Sequence, residues 1–405
     1  MKSKLLDGIK VIELANYVAA PVVGRICADM GADVIKIEGR TGDPWRVTAA
    51  GLTKTEQDEN PIFDMFNAGK RSISVNLKSE KGKEILFRLL EDADILITNT
   101  RQRSLVKLGL DYDSLKERFP RLIYATLTGY GYEGPDCDAP GFDNIAFWSR
   151  PGFLSDMSIK AMGSYPVNSR GAIGDVVSGT TLFGGVMAAL YQREKTGLGD
   201  FVTMSLYNAG IWAMGGCIVM AEKPYCHEFP EPRLTGNPMN LVYQCSDERW
   251  VRCTVFEYDR YAGKFFGALE IQEEMDALGV HDMASLAEWA DRAIPIFERS
   301  FARKSSTEWL AIFKELDIVC GLLNHFADVT EDEQALANQY VQEYRCKNGN
   351  TCLITTAPVR LASQGVPEIG APISFAEHNR EILDQLGYTD EEIAALKEAE
   401  AIYGD

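Results

Sequence analysis

The length, composition and charge of the chain exclude several classes of protein. Its 405 residues are about two to three times the length of a usual domain, and 46% of them are hydrophobic and 25% charged, as in an ordinary soluble globular protein. The 59 acidic against 41 basic residues give a formal charge of -18, which argues against nucleic acid or an anionic membrane surface as a partner. We therefore expect two domains, and a local basic cluster wherever an anionic ligand binds.

Strand and helix patterns alternate along the first 130 residues. The β-rich runs are 8–14, 33–38, 71–77, 94–98 and 122–126, and the helical patterns are 21–30, 79–92 and 112–118. This alternation predicts βαβ units and hence an α/β fold with an open, mostly parallel, Rossmann-like sheet and helices on both of its faces. A long region rich in Gly, Pro, Ser and Asp follows at 129–174, and loops of that length usually carry function.

The second half of the chain changes in character after residue 223. Before that point, a long helix is predicted from Asp175 to about residue 195, followed by a strand at 201–205. Hairpin strands at 241–245 and 250–255, with amphipathic helices after them, predict a smaller α+β module. The tail ends in two helical segments, for which Asn379 and Thr389 are the predicted caps.

Cysteines and histidines give no sign of a metal site or of a disulfide framework. The nine cysteines form no CxxC pair, and the four histidines have no HxxxH spacing. We expect free thiols in a reducing compartment and no bound metal. The apolar stretch 209–221 is too short and too rich in glycine to span a bilayer, so we predict no transmembrane helix and a cytoplasmic protein.

Asp175 is the main candidate for catalysis. The opening βαβ unit lacks GxGxxG, and neither GxxxxGK[ST] nor GxSxG occurs, so nicotinamide, nucleoside triphosphate and serine hydrolase chemistry lose their main support. Asp175 stands where the glycine-rich region meets the long helix. It is either an N-cap, as most Asp residues in that context are, or an ionised carboxylate held by helix-end amides beside a glycine-rich turn. The residues themselves leave both interpretations open.

A series of short segments occurs in a fixed order along nearly the whole chain. They include residues 5–14 (LLDGIKVIEL), 31–38 (GADVIKIE), 67–72 (NAGKRS), 93–99 (ADILITN), 174–175 (GD) and 386–393 (LGYTDEEI). Together they resemble the family III (CaiB/BaiF) CoA-transferases. Within that family, residues 11–16 (VIELAN), 140–143 (PGFD) and 331–335 (EDEQA) are similar to the bacterial 2-hydroxyacyl-CoA transferases of the phenyllactate and 2-hydroxyisocaproate type.

The resemblance implies an enzyme that moves CoA from an acyl-CoA donor to a 2-hydroxy carboxylic acid. The substrates would be a CoA thioester and a small acid, with no tightly bound cofactor and no nucleic-acid or membrane partner. Asp175 would be the catalytic nucleophile, acting through acyl-aspartyl anhydride and aspartyl-CoA thioester intermediates. The implied fold has a large domain built from both chain ends, residues 1–223 with 330–405, a small α+β domain at 224–329, and two interlocked chains in a homodimer.

The resemblance also implies a CoA site, position by position. The implied contacts are Val18, Ala19, Arg40, Val75, Lys78, Asn99, Arg101, Lys107 and Asp143. The cations expected to meet the phosphates of CoA are Lys36, Arg40, Lys70, Arg71, Arg101, Arg103 and Lys107. Some members of the family cover the active site with a tetraglycine loop, where this chain has only residues 234–238 (LTGNP), so a lid is not established.

The aromatic residues Phe142, Phe147 and Trp148 are candidates for substrate binding. If they line the acyl pocket, they favour a branched or aromatic 2-hydroxy acid, because each buried methylene contributes about 0.8 kcal/mol; the alternative is that they pack the loop onto the body of the protein. Two rival functions are an α-methylacyl-CoA racemase and an inert CoA-binding protein. Racemases of this fold place a His where this chain has Phe142, and the retention of Gly174 and Asp175 disfavours an inert protein.

Overall fold

The structure, a computed structural model, describes residues 4–52, 55–156, 169–225 and 236–404. By its internal contacts the chain divides into two compact units. The first consists of Met1–Phe153, Asn168–Val219 and Glu333–Asp405, and the second of Leu154–Val167 and Met220–Asp332. The boundaries of independently folding domains stay a prediction.

A six-stranded parallel sheet forms the centre of the first unit. Its strands are β1 (Lys10–Leu14), β2 (Asp33–Glu38), β3 (Arg71–Ser74), β4 (Ile95–Thr98), β5 (Ile123–Thr128) and β6 (Phe201–Ser205). Their order is β3-β2-β1-β4-β5-β6, and each neighbouring pair is parallel, which confirms the predicted sheet. The order reverses between β1 and β4, and ligands of such sheets bind outside the carboxyl ends of the strands at that point.

Helices connect the strands and cover both faces of the sheet. Between residues 19 and 221 they are α1 (Ala19–Asp29), α2 (Pro44–Ala50), α3 (Pro61–Asn67), α4 (Glu80–Glu91), α5 (Gln102–Leu108), α6 (Tyr112–Leu115), α7 (Phe153–Asp156), α8 (Ile173–Thr196), α9 (Leu206–Ala213) and α10 (Gly215–Ala221). A π-helical segment, Asp143–Ser149, precedes α7. Successive strand residues point to opposite faces, so on β1 Val11 enters the core with α1 and α8, whereas Ile12 enters the core with α4 and α5.

The helix α8 is, by length and composition alone, able to cross a membrane. It packs against α1, β5 and β6 within the first unit, and we therefore interpret it as a core helix. The sequence singled out residues 209–221 as the notable apolar stretch, whereas α8 spans 24 residues and is the longer apolar segment.

The second unit combines a small antiparallel sheet with a group of helices. The strands are β7 (Val242–Gln244), β8 (Trp250–Cys253) and β9 (Cys320–Leu322), and the helices are α11 (Tyr258–Leu269), α12 (Gln272–Ala277), α13 (Met283–Glu288), α14 (Ala290–Phe301) and α15 (Ser306–Glu315). Its core is aromatic, with the ring of Tyr243 stacked on that of Phe301 at 4.5 Å. The hairpin and the helices were expected, whereas β9, a strand of three residues, was not.

The C-terminal part of the chain returns to the first unit. It contains α16 (Glu333–Ala337), the hairpin β10 (Val341–Arg345) and β11 (Thr351–Thr355), α17 (Asn379–Gln385) and α18 (Asp390–Glu398). The Thr389 side chain caps α18 as predicted. The predicted cap Asn379 is wrong, because this residue is already helical and its buried side chain accepts the N–H of Ser74 at 2.9 Å, which ties the tail to β3.

Candidate active site

The loops at the carboxyl ends of β1, β4 and β5 surround a cavity of about 430 Å³. It lies at the point where the strand order reverses, which is where ligands of open parallel sheets bind. The lining residues are Asn16, Tyr17, Ala19, Asn99, Thr100, Arg101, Gln102, Arg103, Ser104, Leu127, Thr128, Gly129, Cys137, Ala139, Pro140, Gly141, Phe142, Asp175 and Leu206.

Part of the predicted site lies together in this cavity. The predicted residues that line it are Ala19, Asn99, Arg101, Phe142 and Asp175. They come from four separate regions of the sequence, which the parallel sheet brings to one edge. Arg103, one of the predicted phosphate-binding cations, lines the cavity as well.

Other predicted CoA contacts lie outside the lining of this cavity. Val18 and Val75 are buried in the core. Arg40 forms an exposed ion pair with Glu400 at 3.6 Å. Lys78 and Lys107 lie on the exposed surface, and the buried Asp143 accepts the N–H of Asp175. The roles of these residues in CoA binding stay predictions.

Four of the seven predicted phosphate-binding cations have protein partners, and the prediction is wrong for the two buried ones, Lys36 and Lys70; for Arg40 and Arg71 it stays a prediction. Lys36 and Lys70 are fully buried, and their ammonium groups contact the two carboxylate oxygens of Glu13 at 2.9 and 2.7 Å. Arg71 binds the carboxylates of Asp33 and Glu381. Because a buried, paired cation cannot reach a ligand, CoA phosphates have to be met by other groups.

Asp175 lies in the first turn of α8, but it is not the N-cap. The helix begins at Ile173, and Ala172 precedes it without a capping side chain. The capping bond comes from another segment, because Asp143 Oδ1 accepts the N–H of Asp175 at 2.9 Å. Gly174 makes this approach possible, since a Cβ atom there would lie 2.5 Å from Asp143 Oδ1. The structure thus gives Asp143 the capping role and leaves the carboxyl of Asp175 in the cavity wall.

The environment of Asp175 favours the protonated carboxyl group. Burial, with a smaller contribution from the neighbouring Asp143, raises its pKa to about 7. No ion pair of Asp175 occurs among the residues that the structure describes. Desolvation thus outweighs the stabilisation that the helix terminus gives to the ionised form, and the role of Asp175 as an ionised carboxylate stays a prediction. Burial also raises the pKa of Asp143, against hydrogen bonds from the N–H groups of Asp175 and Gly174.

The aromatic residues of the loop before α8 separate into two groups. Phe142 lines the cavity, and the backbone that carries it is pressed against the end of β5: a Cβ atom on Gly141 would lie 2.4 Å from the Cα of Gly129. Phe147 is buried and stacks on Phe153 at 5.2 Å, with Trp148 edge-on to it. Phe147 and Trp148 therefore pack the loop onto the body of the first unit, and only Phe142 of the three predicted substrate residues is in the cavity lining.

The turn after β1 contributes residues that the sequence patterns did not indicate. Asn16 and Tyr17 line the cavity, whereas the predicted neighbour Val18 points into the core. The Asn99 side chain accepts the N–H of Asn16 at 3.0 Å and donates to its carbonyl oxygen at 2.7 Å, which joins the ends of β1 and β4. The sequence contains a signal for this contact, since Asn16 and Asn99 follow soon after β1 and β4. The carboxyl ends of neighbouring parallel strands lie at the same edge of the sheet, so two such polar residues are expected to meet there.

The segment at the position of a possible lid is described in part. Of residues 234–238, the first two lie outside the residues that the structure describes. The described part, Gly236 to Pro238, leads into a single 3₁₀ turn, Pro238–Asn240.

Comparison with known proteins identifies the family. The sequence model of "CoA-transferase family III" matches residues 6–377. The chain belongs to this family. It is 39% identical over 399 residues to the cinnamoyl-CoA:phenyllactate CoA-transferase of Clostridium sporogenes, covering 98% of this chain and 96% of that protein. It is 34% identical to the (R)-2-hydroxy-4-methylpentanoate CoA-transferase of Clostridioides difficile, covering 98% and 99%.

Solved structures agree with the family assignment. A CaiB/BaiF family protein from Brucella suis has a TM-score of 0.81 at 26% identity, covering 95% of this chain and all of that one. A Mycobacterium tuberculosis protein has a TM-score of 0.77 at 25% identity, covering 94% and 99%. The protein is therefore an enzyme of the family III CoA-transferases. The lining of its cavity, as far as the chain is described, contains no histidine to form the acid–base pair of a racemase.

Proposed function

We propose that this family III CoA-transferase moves CoA from an acyl-CoA donor to a 2-hydroxy carboxylic acid, with Asp175 as the nucleophile. The observation that carries the proposal is the position of the Asp175 carboxyl, which lines the cavity at the sheet's switch point and has a pKa of about 7. A carboxyl with that pKa is substantially ionised at neutral pH, yet it is less solvated than an exposed carboxylate, as a nucleophile requires.

The reaction proceeds by exchange between a carboxylate and a thioester. A carboxylate oxygen of Asp175 attacks the thioester carbonyl, the C–S bond breaks, and an acyl-aspartyl anhydride and the CoA thiolate form. The thiolate attacks the aspartyl carbonyl, the donor acid leaves as a carboxylate, and an aspartyl-CoA thioester remains. The acceptor carboxylate then repeats the two steps in reverse and regenerates Asp175. No net proton transfer is needed, and thioester and product are of similar energy.

The apolar groups of the cavity support a branched or aromatic acid as substrate. Phe142 and Tyr17 lie in the same lining as Asp175. Burying each methylene of an acyl side chain against such groups contributes about 0.8 kcal/mol, which favours 2-hydroxyisocaproate or phenyllactate over lactate or oxalate. The relatives from Clostridium sporogenes and Clostridioides difficile, whose names contain phenyllactate and 2-hydroxy-4-methylpentanoate, agree with this choice.

Arg101 and Arg103 are the cations we assign to the anionic part of CoA. Both are exposed, and both line the cavity that contains Asp175. Guanidinium groups bind phosphate oxygens in a bidentate manner. Two of them beside the cavity offset part of the protein's negative charge, which would otherwise repel an anionic ligand.

We also propose a homodimer in the cytoplasm. Exposed apolar side chains of the first unit, Ile173, Val177 and Trp212, support a contact with a second copy of the chain. The eight cysteines among the described residues are all free, which supports a reducing compartment. Light scattering of the purified protein tests the dimer directly.

Hydroxylamine trapping during turnover tests the nucleophile. With 2-hydroxyisocaproyl-CoA as donor, hydroxylamine should convert Asp175 to a hydroxamate that peptide mass spectrometry locates. Asp113, an exposed aspartate in the first turn of α6, should stay unmodified and is the control within the same digest. Modification of another carboxyl in place of Asp175, or turnover without any modification, would refute the assignment.

A further inference from the structure

Tyr17 has a backbone conformation that residues with a side chain rarely adopt. Its φ is 63°, in the left-handed region where the Cβ crowds the backbone. Asp43 Oδ1 accepts the N–H of Tyr17 at 3.0 Å and that of Trp45 at 2.9 Å. Strained conformations persist only where the surrounding contacts over-determine them, and they cluster at functional sites. The carboxylate of Asp43 is one of the contacts that hold this turn.

The two residues before Tyr17 are also held by side chains. The Asn99 amide binds both backbone groups of Asn16, and Lys36 Nζ donates to the carbonyl oxygen of Ala15 at 2.8 Å. Each residue of this turn thus has a fixed partner from a different part of the first unit.

A buried cluster of charges fixes Asp43 in turn. Lys36 Nζ lies 2.9 Å from Asp43 Oδ2 and 2.9 Å from Glu13 Oε1, and Lys70 Nζ lies 2.7 Å from Glu13 Oε2. All four side chains are buried. Because a charge in such a cluster cannot move without leaving another one uncompensated, Asp43 has one position, and so has the backbone bound to it.

The ring of Tyr17 forms a corner of the cavity. It meets the ring of Phe142 edge-on, with centroids 5.6 Å apart and planes at 88°. Phe142 itself is 57% exposed, so its apolar surface is available to a ligand. The two rings come from loops far apart in sequence and lie in the same cavity lining as Asp175.

We propose that Tyr17 determines which acyl groups the enzyme accepts, and that Asp43 is the positioning residue that holds the Tyr17 ring in the cavity wall. The proposal rests on the proposed function in one respect, namely that the acyl group reacts beside Asp175. It adds to the acyl site the Tyr17 ring, the turn that carries this ring, and the buried charged cluster that holds the turn in place.

The test measures binding rather than turnover, so that it does not depend on the catalytic role of Asp175. In Asp175→Asn protein, calorimetry gives the affinities for 4-methylpentanoyl-CoA and acetyl-CoA, and their ratio reports the acyl site alone. The parent should prefer the larger acyl group by at least about tenfold, because four additional carbons are buried. A parent ratio near one would overturn the proposal, whereas a failure of the nucleophile assignment would be seen only in turnover.

Tyr17→Ala should lower this ratio about tenfold, and Tyr17→Phe should keep it within about twofold, because the phenyl ring provides the apolar contact. Tyr191→Ala is the matched control, since Tyr191 is an exposed tyrosine of α8 outside the cavity lining, and its ratio should equal that of the parent. Equal loss of affinity for both thioesters in Tyr17→Ala would refute a role in acyl selection.

Asp43→Asn separates positioning from stability. It removes the charge next to Lys36 but keeps the oxygen that accepts the N–H of Tyr17, so the melting temperature should fall while the ratio stays within about twofold of the parent. Asp43→Ala should lower the ratio as Tyr17→Ala does, and the double variant should lower it no further, because both changes affect the same ring. Two results would refute the positioning role. One is a folded Asp43→Asn protein whose affinity ratio falls as it does in Tyr17→Ala, and the other is a double variant, Tyr17→Ala with Asp43→Ala, in which the two decreases add.

Discussion

Two carboxyl groups of the first unit, the buried Glu13 and the half-buried Asp175, have opposite surroundings. Glu13 is a residue of β1 and lies between Lys36 and Lys70, and each of its carboxylate oxygens contacts one of their ammonium groups. Asp175 lies in the wall of the cavity, where burial and Asp143 raise its pKa to about 7. One carboxylate is compensated and structural, whereas the other is uncompensated and available for reaction.

The difference teaches how one fold uses the same chemical group in two ways. Lys36 is a cation whose charge is compensated by its neighbours. Burial by itself would lower the pKa of Lys36, but the adjacent carboxylates of Glu13 and Asp43 outweigh burial and raise it. A charge that is fully paired contributes to the position of the backbone around it. A charge without a partner titrates near neutral pH and can attack a substrate.

The largest effect is expected when the uncompensated carboxylate is removed. Asp175→Asn should lower the rate of CoA transfer by about 10⁴-fold or more, about 5 kcal/mol in the barrier, since the proposed covalent intermediates cannot form. Transfer between an acyl-CoA and 2-hydroxyisocaproate, followed by chromatography of the thioesters, measures this. Asp113→Asn is the matched control. A folded Asp175→Asn enzyme with a tenth of the normal rate would contradict the comparison.

The compensated carboxylate should instead affect stability. Glu13→Gln leaves Lys36 and Lys70 without a buried counter-charge at this position, which should reduce the free energy of unfolding by about 3–5 kcal/mol. Urea denaturation followed by circular dichroism measures the change. Glu400→Gln, which breaks the exposed pair with Arg40, serves as the control and should change little. Equal free energies of unfolding for Glu13→Gln and Glu400→Gln would show that the buried charge cluster does not stabilise the fold.

The two carboxylates should also differ in their response to pH. Because the folded pKa of Asp175 lies above its unfolded value of 3.8, the native state retains a proton that the unfolded state loses between about pH 4 and 7. The difference in stability between Asp175→Asn and the wild type should therefore grow over that window, in favour of the variant. The two should be equally stable near pH 4 and differ by on the order of 4 kcal/mol at pH 8, in favour of the variant.

The same titration should be visible in the rate. Under the proposed mechanism the ionised carboxylate is the nucleophile, so kcat/KM should fall about tenfold per pH unit below an apparent pKa near 7. A pH-independent rate between about pH 5 and 8, with substrate groups unchanged over that range, would contradict the raised pKa.

The smallest effect is expected from removing single exposed cations, which allows exposed and buried cations to be compared as the carboxylates were. Arg101 is exposed in the cavity lining, whereas Lys107 is exposed outside it and Lys36 is buried and paired. Arg101→Ala should weaken CoA binding by about 1–2 kcal/mol, and Lys107→Ala by less, with melting temperatures nearly unchanged in both. Calorimetric titration with CoA at two salt concentrations measures this. A larger loss in Lys107→Ala would place the phosphates outside this cavity.

The sequence by itself predicts the sheet and draws attention to Asp175 at its edge. Alternating β-rich and helical patterns are local signals, so the six parallel strands and the helices on both faces follow from them. Asp175 is also predictable, since a carboxylate at the junction of a glycine-rich loop and a long helix stands out in a chain that matches one family in order. The short strands β9, β10 and β11 are not predictable in this way, because their pairing depends on distant partners rather than on a local pattern.

Only the tertiary structure decides which charges are compensated. Lys36 and Lys70 have the same local sequence signal as a phosphate-binding cation, and only the packing of β1 against β2 and against the turn before β3 places Glu13 between them. In the same way, Asp143 rather than Asp175 caps α8 because a loop 32 residues away in sequence brings its carboxylate to the helix. Burial and pairing are sums over neighbours from the whole chain, so the pKa of Asp175 and the strained turn at Tyr17 exist only once the sheet has assembled.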